Sequence, residues 1–69
     1  MKKDTIANRI KELREERNLT QIDLAKELNL DKSTIAKYET GKVEPSLSIV
    51  YLLIEYFNVS ADYLLGLVD

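Results

Sequence analysis

Apolar residues return every three or four positions along most of this chain, and short polar segments interrupt them. Ile6, Ile10 and Leu13 form one such stripe and predict a first helix from Thr5 to about Arg17, with Asp4 as its N-cap. Leu19 then tucks in ahead of Thr20. Leu24, Ala25 and Leu28 predict a second helix that opens at Thr20, with Asp23 three residues on at capping-box spacing. Asn29-Leu30-Asp31 breaks it. Asp31 is the expected N-cap of a third helix from Lys32 to about Glu39, and Gly41 its stop. A loop from Val43 to Pro45 follows, where Pro45 keeps Glu44 extended. Ser46 should cap a fourth helix over residues 47–57, ending near Asn58. Ser60 should cap a short fifth helix through Leu65, with Gly66 ending it. The fold expected is all-α: a compact five-helix domain over residues 1–69. Leu13, Leu24, Leu28, Ile35, Val50, Leu53 and Phe57 are its expected core.

The second and third helices carry the most specific signal. Two short helices joined by a three-to-four-residue turn, over residues 20–40, form a helix-turn-helix unit, whose second helix enters the DNA major groove. On a wheel of about 100° per residue, Ile35 and Tyr38 share the inner side of that helix, with Glu39 at the margin. Ser33, Ala36 and Lys37 share the outer side, flanked by Lys32. Short side chains near the axis let the backbone approach the bases, which Ser33 and Ala36 permit. Donors at the edges suit guanine O6/N7 and phosphate oxygens, which Lys32 and Lys37 supply. Taken alone, the same residues also fit a solvated helix face.

IKELREERNLTQIDLAKEL, DKSTIAKYETGKVEPS and NVSADYLLG, between residues 6 and 66, resemble the Cro and phage-repressor type of helix-turn-helix family. The resemblance implies a lambda-repressor-like domain that binds operator DNA and regulates transcription, most often as a repressor. It implies a phosphate contact for Gln21 and base contacts for Lys32, Ser33 and Lys37, with Ala36 beside them. It brings Thr34 and the following loop, Thr40, Gly41 and Lys42, toward phosphates. It also implies an ion pair between Arg14 and Glu39. Glu39 lies where the helix dipole disfavours an acid, and a paired cation offsets that cost; the alternative is a solvated Glu39. This chain departs from the pattern in having neither Arg nor Gln on the third helix.

The fourth helix is apolar on two sides. Leu47, Val50, Leu53, Ile54 and Phe57 make one arc, and Ile49, Leu52 and Tyr56 another. A helix apolar on both sides must bury both, and a chain this short has little to spare for the second. Together with Tyr63, Leu65 and Leu67, the second arc points to a homodimer interface that places two third helices on a palindromic duplex. The alternative is a fifth helix that folds back over the fourth.

Charge refines this picture. Ten basic and twelve acidic residues leave a net charge of −2, unlike the positive excess common in DNA-binding domains. The distribution is uneven. All ten Lys and Arg fall in residues 1–42 beside eight acids, and residues 43–69 hold four acids and no base. The balance is therefore +2 in the first segment and −4 in the second. Such asymmetry suits nucleic-acid binding at one end. A module that binds another protein through the fourth and fifth helices remains the second reading.

Chemistry is excluded more firmly. With no His or Cys and only two isolated glycines, the chain offers no thiolate, imidazole or phosphate-loop site. No cofactor, metal or catalytic role is expected. The charged start MKKDTIANRIKE lacks the apolar centre of a signal peptide, and no apolar run reaches a membrane span, which suggests a cytoplasmic protein.

Overall fold

Each predicted helix forms, and chemistry at its ends sets its bounds. The computed structural model describes residues 3–68. In chain order the helices are α1 (Lys3–Glu16), α2 (Gln21–Leu28), α3 (Lys32–Glu39), α4 (Leu47–Phe57) and α5 (Ala61–Leu64). At the start of α2 both halves of the capping box are made. The Thr20 hydroxyl accepts from the Asp23 N–H at 3.0 Å, and Asp23 Oδ2 accepts from the Thr20 N–H at 2.9 Å. Ser46 accepts from the Ile49 N–H and Ser60 from the Tyr63 N–H, as their positions predict.

Two expected caps fail. Asp4 lies within α1 rather than before it, because this polar segment holds no breaker and the helix runs on to Lys3. Asp31 takes the extended N-cap backbone, but its side chain makes no capping bond. Its carboxylate stays exposed to water, and its main-chain carbonyl closes the turn by accepting from Thr34 and Ile35.

All five helices stop in the same way. Asn18, Asn29, Gly41, Asn58 and Gly66 take left-handed backbone with φ between 56° and 78°. The next residue's N–H then reaches back to a carbonyl in the last turn: Leu19 to Arg14, Leu30 to Ala25, Lys42 to Lys37, Val59 to Ile54 and Leu67 to Asp62. That bond satisfies a carbonyl the helix leaves unpaired. Leu19, Leu30 and Val59 are half-buried, so the reversal also sends an apolar side chain inward.

The core gathers Ile6, Ile10 and Leu13 of α1, Leu24 and Leu28 of α2, Ile35 and Tyr38 of α3, and Val50, Leu53 and Phe57 of α4, with Leu64 of α5. All seven sequence-expected core residues are among them. α1 packs on α3 and α5, α2 on α3, and α4 on α5. Leu47 is the exception to the predicted arc. It is 83% exposed, as the opening residue of α4 at the edge of that arc. Gly66 meets α1 so closely that a Cβ there would overlap the Thr5 side chain. Among the described residues no helix is long and apolar enough to cross a membrane.

The capping box makes stability depend on pH. The Thr20 N–H, and then its hydroxyl, hold the Asp23 carboxyl below the usual aspartate range. A folded-state pKa below the unfolded one stabilises fully above the ordinary value of about 4, and the gain is lost as pH falls through the lowered value. The gap in Tm between the unmodified protein and Asp23→Ala is therefore expected to narrow from pH 7 to pH 2. Thermal melts followed by circular dichroism check this, and a gap unchanged across that range would remove the carboxylate from the account.

Candidate nucleic-acid interface

α3 turns Ile35 and Tyr38 into the core, which fixes what its other side presents. Lys32, Ser33 and Lys37 are exposed there, and Thr34 and Ala36 are half-buried beside them. The surface continues into the loop. The Thr40 hydroxyl donates to the Lys37 carbonyl, Gly41 reverses the chain, and Lys42 is exposed just beyond. The structure thus brings the predicted base-reading and loop residues onto one continuous surface. That surface is short near the helix axis and cationic at its edges.

Behind it lies an ion pair. Arg14 Nε donates to Glu39 Oε2 at 2.6 Å and Arg14 Nη2 to Glu39 Oε1 at 3.0 Å, a two-pronged contact. Arg14 Nη1 also donates to the Leu19 carbonyl at 2.8 Å. The two side chains are only 11% and 4% exposed. The bond to Glu39, more than burial, governs the guanidinium and raises its pKa further. Gln21 joins the cluster, since its Nε2 donates to Glu39 Oε1 at 3.1 Å. Family resemblance assigns Gln21 to a phosphate and gives no sign of this internal partner, which lies on a different helix.

The other arginines are also engaged within the fold. Arg17 donates to the Tyr56 and Phe57 carbonyls at 3.1 and 2.8 Å, where α4 ends and its dipole favours a cation. Arg9 stacks over the Tyr63 ring at 4.1 Å and donates to the Val68 carbonyl. Sequence reasoning missed both, because the partners are backbone carbonyls or a ring about forty or more residues away. With all three arginines committed, the cations left for a ligand are ammonium groups. Lys11, Lys26, Lys32, Lys37 and Lys42 are exposed, and among the described residues none forms an ion pair.

The predicted interface residues on α4 and α5 differ in exposure. Leu52 is 42% exposed and Leu67 is open to solvent, whereas Ile49, Tyr56, Tyr63 and Leu65 are half-buried. Tyr56 and Tyr63 have Arg17 and Arg9 over their rings. Tyr51, which lies between the two predicted arcs, is 64% exposed. Beside it an open apolar groove of about 430 Å³ runs between α4, α5 and the α3–α4 loop, lined by Pro45, Leu47, Tyr51, Ile54 and Leu65. The signal for Tyr51 was available in the sequence: α4 is apolar in three directions, not two.

A family model described as helix-turn-helix matches residues 10–64, which contain the α2–α3 unit and the Arg14–Glu39 cluster behind it. The chain belongs to the helix-turn-helix family. It therefore has the lambda-repressor-like helical domain, and is a DNA-binding regulator of transcription rather than an enzyme. It is 40% identical to an uncharacterized helix-turn-helix-type transcriptional regulator of Methanocaldococcus jannaschii, over 80% of this chain and 83% of that one. It is 36% identical to the immunity repressor protein of Bacillus phage phi105, over 90% of this chain and 43% of that protein. It is 34% identical to the helix-turn-helix-type transcriptional regulator ImmR of Bacillus subtilis, over 90% of this chain and 49% of that one. The chain thus spans under half the length of these last two relatives.

Breaking the Arg14–Glu39 pair should cost stability more than replacing it. Arg14→Met leaves a carboxylate unpaired and nearly excluded from water, and is expected to cost about 3 kcal/mol. Adding Glu39→Leu should recover most of that loss. Urea denaturation of the two single variants and the double variant measures the coupling, and additive losses would show the two groups to be independent.

Proposed function

We propose that α3 enters the major groove of double-stranded DNA and that the protein acts as a homodimer on a palindromic operator. The exposed surface of α3 carries this reading. Ser33 and Ala36 let the helix approach the bases, and Lys32 and Lys37 donate at its edges, so these four read the sequence. Gln21, Thr34, Thr40, Gly41 and Lys42 meet the phosphates, which fix register without carrying sequence information. Residues 1–69 work as one DNA-binding domain in the cytoplasm. A repressor role is supported by the likeness to the immunity repressor protein of phage phi105.

Base and phosphate contacts are separable by experiment. A duplex selected from a random library supplies the cognate site. Ser33→Ala or Lys37→Ala should weaken cognate binding by about 1–3 kcal/mol and relax the preference at one position. Gln21→Ala should weaken cognate and random duplexes alike. Titration at several salt concentrations should show affinity falling with a slope of about −0.9 per phosphate engaged. A flat salt response would favour the protein-binding reading and end this one.

The dimer rests on the exposed apolar surface of α4 and α5. Leu47 and Tyr51 are open to solvent along the groove, Leu52 and Leu67 are exposed outside it, and Ile49, Tyr56, Tyr63 and Leu65 are half-buried. No base follows Lys42, which suits an interface core, since such cores are depleted in charge. The protein measures 28 × 23 × 20 Å, so two adjacent copies can hold equivalent helices about 34 Å apart, one turn of duplex. Sedimentation at tens of micromolar should show twice the chain mass. Tyr51→Glu or Leu52→Glu, both at exposed positions, should give a folded monomer that loses its preference for paired half-sites. An unmodified protein that sediments as a monomer with and without DNA would remove the interface.

A further inference from the structure

We propose that Glu39 is a positioning residue for DNA binding, holding the Gln21 amide with its donor side turned to the phosphate. This rests on the reading of Gln21 as a phosphate contact. The carboxylate of Glu39 can only accept hydrogen bonds, so the Gln21 amide can meet it only through nitrogen. Nε2 gives one hydrogen to Glu39 Oε1 at 3.1 Å, and its second hydrogen is left for a phosphate oxygen. A reversed amide would set its carbonyl oxygen against the carboxylate, acceptor against acceptor. Without Glu39, the flexible glutamine would present oxygen or nitrogen indifferently, and ordering it would be charged against binding.

Arg14 holds the carboxylate in turn. It grips both oxygens of Glu39 and is itself tied to the Leu19 carbonyl, so the carboxylate cannot rotate away from Gln21. Its charge also cancels that of Glu39, which would otherwise repel a phosphate. The line from Leu19 through Arg14 and Glu39 to Gln21 thus links the end of α1, the end of α3 and the start of α2. One cluster serves both the packing of three helices and the aim of one donor.

The test uses the full chain and a short random-sequence duplex at fixed low salt. Gln21→Ala is expected to weaken binding about tenfold, the effect of a hydrogen bond to a charged group. Arg14→Met with Glu39→Leu leaves net charge unchanged and cannot hold the amide. It should weaken binding by the same factor, and adding Gln21→Ala to it should cause no further loss. In nitrogen-15 spectra the Gln21 side-chain hydrogens should move to solvent-exposed positions in that double variant. If the double variant does not fold, Glu39→Asp keeps the charge but withdraws the oxygen, and should show the same lack of additivity. Losses that multiply with Gln21→Ala, or wild-type binding without Glu39, would overturn the proposal while leaving the phosphate contact intact. Wild-type binding by Gln21→Ala itself would instead remove the phosphate contact, and the proposal with it.

Discussion

Glu39 ends the third helix, where the backbone dipole opposes a negative charge, and its carboxylate is almost excluded from water. Such a group is tolerable only when a cation and further donors surround it, because an unpaired buried charge is among the most destabilising features a fold can contain. Arg14 supplies the charge and two bonds, and Gln21 supplies a third. The requirement sets geometry as well as energy. α1 must present Arg14 in its last turn, and α3 must lie at the angle that brings Glu39 to it. The outward face of α3 follows from that angle together with the burial of Ile35 and Tyr38.

Much of this was legible in the sequence, because the signals that bound helices are local. Thr20 with Asp23, Ser46 and Ser60 each act on a backbone group three residues away, and the stops at Gly41 and Gly66 need only left-handed backbone. The outward face of α3 came from the pattern of the α2–α3 segment, and Arg14 as the partner of Glu39 came from family resemblance. What was not legible depends on distance or competition. Arg17 meets carbonyls about forty residues on, and every residue type carries a carbonyl, so nothing in the sequence marks the partner. Asp31 has the side chain of a cap, but its exposed carboxylate has water as an alternative. Leu47 belongs to the inner arc by angle alone. A wheel gives an angle but not how far the neighbouring elements reach along the helix, and Leu47 at its opening stays exposed.

The size of the chain explains why α4 is apolar in three directions. A domain of this length buries only about 60% of its unfolded surface, and with no cysteine it has no covalent staple. One direction of α4 completes the core through Val50, Leu53 and Phe57. A second is partly covered by Arg17 lying over Tyr56 and Phe57, and the third opens into the groove beside Tyr51. The long apolar helix therefore completes the small core and leaves exposed apolar surface in the segment of the chain that carries no positive charge.

The division of labour between the two basic residue types has a chemical consequence. All three arginines hold the structure together through carbonyls, a carboxylate and a ring, while the exposed cations of the α3 surface and its loop are lysines. Acylating agents and acetyltransferases attack amines and leave guanidinium groups alone, and acylation removes the lysine's charge. Modification of Lys32, Lys37 and Lys42 would therefore erase the positive potential of that surface and leave every arginine contact in place. Folding and surface charge are thus addressable by different chemistries, so a cell or a chemist could switch off the second without unfolding the first.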